Sequence, residues 1–276
     1  MRLRGGAPRL PLQRARRRHV PVGVHGVGDG LTFRARVGSP RALRSGSAVL
    51  ATALLAAPLP ACATGGGQAL PPTGTQGWVS LPLADGDHLN LLVARPAGPA
   101  RGVVLAFPWG AGDAGLLAGL VETYWDDAAP AAGYAVVGVE IYGPGLAESA
   151  PVVVPALLDW IDQHLAEAAD RIVLTGASAG GIGVFHAALA MPDRVAAILA
   201  MPGRTSGEAS LETLAGVPVL LMVGAHDQRW VIGSESTAER LRAAGAQVEL
   251  AVIPGQGHVL RLPQQVLIEW IAEQIE

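Results

Sequence analysis

Two kinds of hydrophobic pattern alternate along the chain from residue 102 onward. Gly102–Phe107, Ala135–Ile141, Arg171–Thr175, Val195–Met201, Val217–Val223 and Gln247–Ile253 are short runs rich in Val, Ile, Leu and Ala. Several have no polar break, as strands buried on both faces require. The stretches between them carry apolar residues at helical spacing. Leu116–Ala132 contains one helix, and Val153–Ala168 is a second, with Leu157, Trp160, Ile161 and Leu165 on one face. A third runs from Ser178 to about Met191, a fourth spans Thr237–Ala244, and Pro263–Ile275 is a fifth, opened by proline at its first position. Ahead of these, Trp78–Leu83 and His88–Arg95 flank Asp85-Gly86-Asp87 and read as a β-hairpin. Strands alternating with helices predict an α/β domain: a mostly parallel sheet with helices on both faces, and an antiparallel hairpin at its start.

The first eighty residues follow another rule. Residues 1–44 are rich in Arg, Gly and Pro and show no sustained periodicity, so they have no face to bury. The apolar run Ser47–Ala57 follows, behind Arg41 and Arg44. It is laid out as a secretory signal and is too short to span a bilayer as a mature helix. It ends in Leu59-Pro60-Ala61-Cys62, which resembles a bacterial lipobox with Cys62 as the lipidated residue; a plain signal-peptidase cut near Ala61 or Ala63 is the alternative. Three segments are therefore expected: a leader and signal over 1–62, a Gly- and Pro-rich tether over 63–77, and a catalytic domain over 78–276. The expected location is outside the cytoplasm, with the membrane reached only through a lipid on Cys62.

Charge sharpens this division. The chain has no Lys, and eleven of its 20 Arg lie in residues 1–44, where Asp29 is the sole acid. From Ala63 onward there are 22 acids against 9 Arg, a net of −13. So acidic a body argues against a nucleic-acid partner, because phosphates demand cationic neutralisation. A single cysteine excludes an intramolecular disulfide and a Cys-rich zinc site.

The candidate chemistry lies where predicted strands end. A serine hydroxyl is a weak nucleophile unless an imidazole takes its proton, a third group orients that imidazole, and N–H groups hold the developing oxyanion. Gly176-Ala177-Ser178-Ala179-Gly180 joins a strand to a helix, the setting of a nucleophile elbow at Ser178, with small residues where strand and helix approach. His258 follows the last strand through Pro254-Gly255-Gln256-Gly257 and is the expected base. Asp227, after Val217–Val223, is the expected acid, 49 residues after Ser178 and 31 before His258; Glu208 is its competitor. His226, His186 and His88 are read as loop, packing and solvated residues. The oxyanion donors are expected to be the Ala179 N–H and one from Pro108-Trp109-Gly110-Ala111. Ala111 comes first, with Trp109 or Gly110 as the alternatives one or two residues away.

Together these residues resemble the α/β-hydrolase superfamily, in its small serine esterase and dienelactone-hydrolase-like branch. The elbow at Ser178, Gly224-Ala225-His226-Asp227 and Gly257-His258 carry the resemblance, in the family's order, over about residues 78–276. It implies an eight-stranded, mostly parallel sheet and acyl transfer through a covalent acyl-enzyme, with no metal or other cofactor. Dienelactone hydrolases proper have Cys at the nucleophile position, where this chain has Ser178.

Family members with bulky substrates often carry a cap between the sixth and seventh strands. Here Pro202–Gly216 holds only fifteen residues, so no cap domain is expected and the site should be open. Trp109 and Trp230 flank the oxyanion and acid loops as candidate substrate contacts. The favoured reading is hydrolysis of a small ester. A peptidase or amidase with the same triad, and a non-catalytic binding protein on the same fold, are the competing readings.

Overall fold

The computed structural model describes residues 69–275. The leader, Cys62 and the first part of the tether lie outside the described residues. The strands are β1 (Gln76–Pro82), β2 (His88–Ala94), β3 (Gly102–Phe107), β4 (Tyr134–Val139), β5 (Ile172–Gly176), β6 (Val195–Ala200), β7 (Pro218–Gly224) and β8 (Gln247–Ile253). The helices are α1 (Ala114–Tyr124), α2 (Ala128–Ala131), α3 (Leu146–His164), α4 (Ala179–Ala190), α5 (Gln228–Ala243) and α6 (Gln264–Ile275). None of the described helices is long and apolar enough to cross a membrane.

The eight strands form one sheet in the order β1-β2-β4-β3-β5-β6-β7-β8. β2 runs antiparallel to both β1 and β4, and every other pairing is parallel. Two cores explain the unbroken apolar runs. On β3, Val103, Leu105 and Phe107 pack into the core shared with α3, α4 and α5, while Val104 and Ala106 face the core shared with α1 and α6. All six residues of β3 are buried, as are all six of β4. With about 1.5–3 kcal/mol gained per fully buried aliphatic side chain, the central strands have no solvent-facing register to slip into.

Three boundaries differ from those expected. β1 begins at Gln76, and Leu70 packs against the core, so the last part of the supposed tether belongs to the domain. α3 starts at Leu146 and runs through Pro151 and Pro155. Each proline removes one i→i−4 bond, but both rings face solvent, and Leu146, Ala150, Val153, Val154 and Leu157 hold the opposite face in the core. α5 begins at Gln228, directly after the acid loop; its first turns are too polar to show apolar periodicity. Between β6 and β7 there is only a single 3-10 turn, Glu212–Leu214, and no cap.

Candidate active site

β5 ends at Gly176 and α4 begins at Ala179, which leaves two residues for the reversal. Ser178 makes it at φ 56°, ψ −110°, and it is the only non-glycine residue at positive φ among the described residues. Such backbone is costly for a residue with a Cβ and persists only where its surroundings impose it. Here the Ser178 N–H donates to the Pro202 carbonyl (2.9 Å) and the Gly180 N–H to the Pro108 carbonyl (2.9 Å), tying the elbow to the loops after β6 and β3. A side chain at Gly180 would collide with the Phe107 and Pro108 carbonyls, so only glycine permits that approach.

The expected base and acid sit on two loops that hold each other. His226 N–H donates to the Gln256 carbonyl and Ala225 N–H to that of Ile253, both at 2.9 Å. Gly224 has no Cβ because the Gln256 and Gly257 carbonyls pass against it. Gln256 closes the His258 loop with its side chain: Nε2 donates to the Arg261 carbonyl (3.1 Å), and Oε1 accepts from the Arg261 N–H (2.6 Å). Tyr124 Oη donates to the Leu260 carbonyl from the far side (2.9 Å).

These supports bring the three expected residues together. Ser178 Oγ lies 2.9 Å from His258 Nε2, and His258 Nδ1 lies 2.5 Å from Asp227 Oδ2. The Asp227 side chain is 16% exposed and that of His258 43%, so the carboxylate is shielded and the imidazole faces the opening. Glu208 stands exposed on the loop after β6, apart from this line. His226 is exposed, as is His88 at the start of β2. His186 Nε2 lies 2.7 Å from Ser206 Oγ, and burial lowers its pKa.

Beside Ser178 is a cavity of about 240 Å³ with mainly apolar walls: Trp109, Tyr124, Ala177, Met201, Pro202 and Val259. Trp109 meets Tyr124 edge to face at 6.5 Å. Two expectations shift. Trp109 and Gly110 line the cavity, but Ala111 does not; it stands exposed on a turn closed by Gly112 N–H donating to the Trp109 carbonyl (3.2 Å). The turn carries Ala111 outward because Gly110 sits at φ 64°. Trp230 does not line the cavity either. Its ring packs 5.3 Å from the His258 ring. Tyr124, Met201 and Gln256 were not foreseen. Gln256 alone left a sequence signal, as a lone polar side chain among glycines next to the base.

A structure assembled in this way has the α/β-hydrolase fold. The Esterase family model matches residues 152–263, a stretch that contains Ser178, Asp227 and His258. No curated protein matches the sequence. Among solved structures, a dienelactone hydrolase from Anabaena variabilis superposes with a TM-score of 0.57 at 20% identity, covering 73% of this chain and 99% of its own. A thermostable carboxylesterase from a metagenomic library gives 0.57 at 16% identity, covering 75% and 92%. An acetyl xylan esterase from Aspergillus awamori gives 0.54 at 14%, covering 67% and 94%. At these identities the likeness establishes the shared fold.

Proposed function

We propose that the protein is a serine hydrolase of carboxylic esters with small, uncharged acyl groups. The observation that carries this reading is the unbroken line from Ser178 through His258 to Asp227, opening on an apolar cavity. Ser178 O–H donates to His258 Nε2. As Oγ attacks the ester carbonyl carbon, its proton passes to that nitrogen, and Asp227 stabilises the imidazolium through Nδ1–H. The carbonyl oxygen becomes an oxyanion. We assign its donors as the N–H groups of Ala179 and Trp109. Ala179 opens α4 and has no intrahelical acceptor. The Pro108 carbonyl held by Gly180 fixes the peptide to which the Trp109 N–H belongs. Collapse of the tetrahedral intermediate breaks the bond to the alkoxide, which takes the proton from Nε2. Water then attacks the acyl-enzyme with His258 again as base and releases the acid.

The cavity sets the acyl size. A volume of about 240 Å³ lined by Tyr124 and Met201 suits a short acyl chain. In a nitrophenyl ester series the expected maximum falls at two to six acyl carbons. Ser178→Ala should reduce kcat/KM by roughly 10⁴-fold or more. Ester turnover that survives this substitution, or cleavage of aminoacyl anilides in preference to esters, would overturn the proposal. The leader carries a separate proposal: export with lipid attachment at Cys62, tested by palmitate labelling that disappears in Cys62→Ser.

A further inference from the structure

The nine arginines of the described residues divide by position. Six of them, Arg95, Arg101, Arg171, Arg194, Arg240 and Arg242, donate to carbonyl or carboxylate oxygens. The other three, Arg204, Arg229 and Arg261, make no side-chain hydrogen bond or ion pair to any described residue. They follow the C-terminal ends of β6, β7 and β8, the edge of the sheet that presents Asp227 and His258. In a body with a net charge of −13 and no lysine, three uncommitted cations at that one edge need a reason.

Arg204 is the one held in place. Its stem crosses α5 where Gly233 leaves the helix bare; a Cβ there would lie 2.7 Å from Arg204 Cδ. Its guanidinium stands 5.3 Å from the centre of the Trp230 ring, within cation–π range, and Trp230 is the residue that packs on the catalytic imidazole. The Arg204 guanidinium has no hydrogen-bond acceptor among the described residues, and its fork of N–H donors matches a carboxylate. Four acids on the same edge are committed elsewhere, Asp227 to His258, Asp113 to the N-terminus of α1, and Asp85 and Asp87 to the Tyr142 hydroxyl, while Glu208, on the loop after β6, stands exposed.

The cavity beside Ser178 is apolar and would exclude a charged group. A charge on the substrate must therefore lie on the part outside it. Building on the ester-hydrolase reading, we infer that the preferred substrate carries a carboxylate on its alcohol portion and that Arg204, held beside Trp230, recognises it. Arg229 and Arg261, both exposed, add to the field that draws such an anion to the opening.

The test compares 4-carboxyphenyl butyrate with neutral 4-carbamoylphenyl butyrate on the full chain. In the wild type, kcat/KM should favour the carboxylate ester by at least about tenfold, the size of a charge-assisted hydrogen-bond contribution. Arg204→Met should lower that ratio about tenfold, Arg204→Lys should restore part of it, and 0.5 M salt should lower it in the wild type more than in Arg204→Met. A ratio unchanged by Arg204→Met overturns the inference. So does an equal loss on both esters with a displaced pH profile, which would make Arg204 a tuner of His258. Binding of 4-hydroxybenzoate against 4-hydroxybenzamide to Ser178→Ala, compared with the same variant carrying Arg204→Met, reads anion recognition without turnover. Preferential binding lost with Arg204→Met but no hydrolysis of either ester would sink the esterase reading and leave the anion site standing. Equal binding of the two would sink the anion site itself.

Discussion

The elbow and the His258 loop meet at one hydrogen bond, yet they are built by opposite means. The elbow is buried backbone: β5 and α4 wedge Ser178 into positive φ, and its stability rests on the absence of side chains at Gly180. The His258 loop is exposed and has no regular structure. It is held by polar side chains: Gln256 across its neck, Tyr124 beneath it and Asp227 on the imidazole. Ser178 is thus placed by sterics, which fail abruptly, and His258 by hydrogen bonds, which fail by degrees.

That contrast can be broken at several strengths. Asp227→Asn keeps the shape but removes the charge that holds the His258 tautomer, and steady-state assays should show kcat lower by about 10⁴-fold with the fold intact. Gly180→Ala forces a Cβ against the Phe107 carbonyl. The expected cost is about 1–3 kcal/mol in denaturant unfolding, with ester turnover lost at the same time, because the strand–helix contact cannot open without moving Ser178. Gln256→Ala removes both bonds to Arg261 and should reduce kcat by about tenfold with KM little changed and a stability loss near 1 kcal/mol. The smallest effect belongs to His186, on the helix that Ser178 opens. Burial lowers its folded pKa below the ordinary histidine value of about 6.5, so the unfolded chain takes up the proton first. Stability that is present above about pH 6.5 is then lost as pH falls below it. Thermal unfolding across pH 5–8 should show a shallower acid-side decline in His186→Gln.

The same division explains what was legible in the sequence. Strands buried on both faces must be continuously apolar, so β3 is found at its observed bounds. The elbow is a local event with a local signature, and Ser178, Asp227 and His258 each follow a recognisable strand. What escaped depends on distant pairing or on a single residue of register. Tyr124 and Leu260 are 136 residues apart, and nothing near either announces the other. Which of Trp109, Gly110 and Ala111 faces the cavity depends on a turn set by Gly110, and the structure turns Trp109 and Gly110 toward it and Ala111 outward. Trp230 lies beside His258 and outside the cavity wall, a distinction that composition does not carry. The early start of α3 was hidden by Pro151 and Pro155, whose usual effect is overridden by the apolar face opposite them.

The central claim is that Ser178 is a nucleophile activated by His258. Treating the native protein with a fluorophosphonate and measuring intact and peptide masses tests it most directly. The expected result is one adduct per chain on the peptide containing Ser178, absent after Ser178→Ala and slowed at least 10³-fold by His258→Ala. An adduct that forms at the same rate without His258, or that maps to another residue, would contradict it.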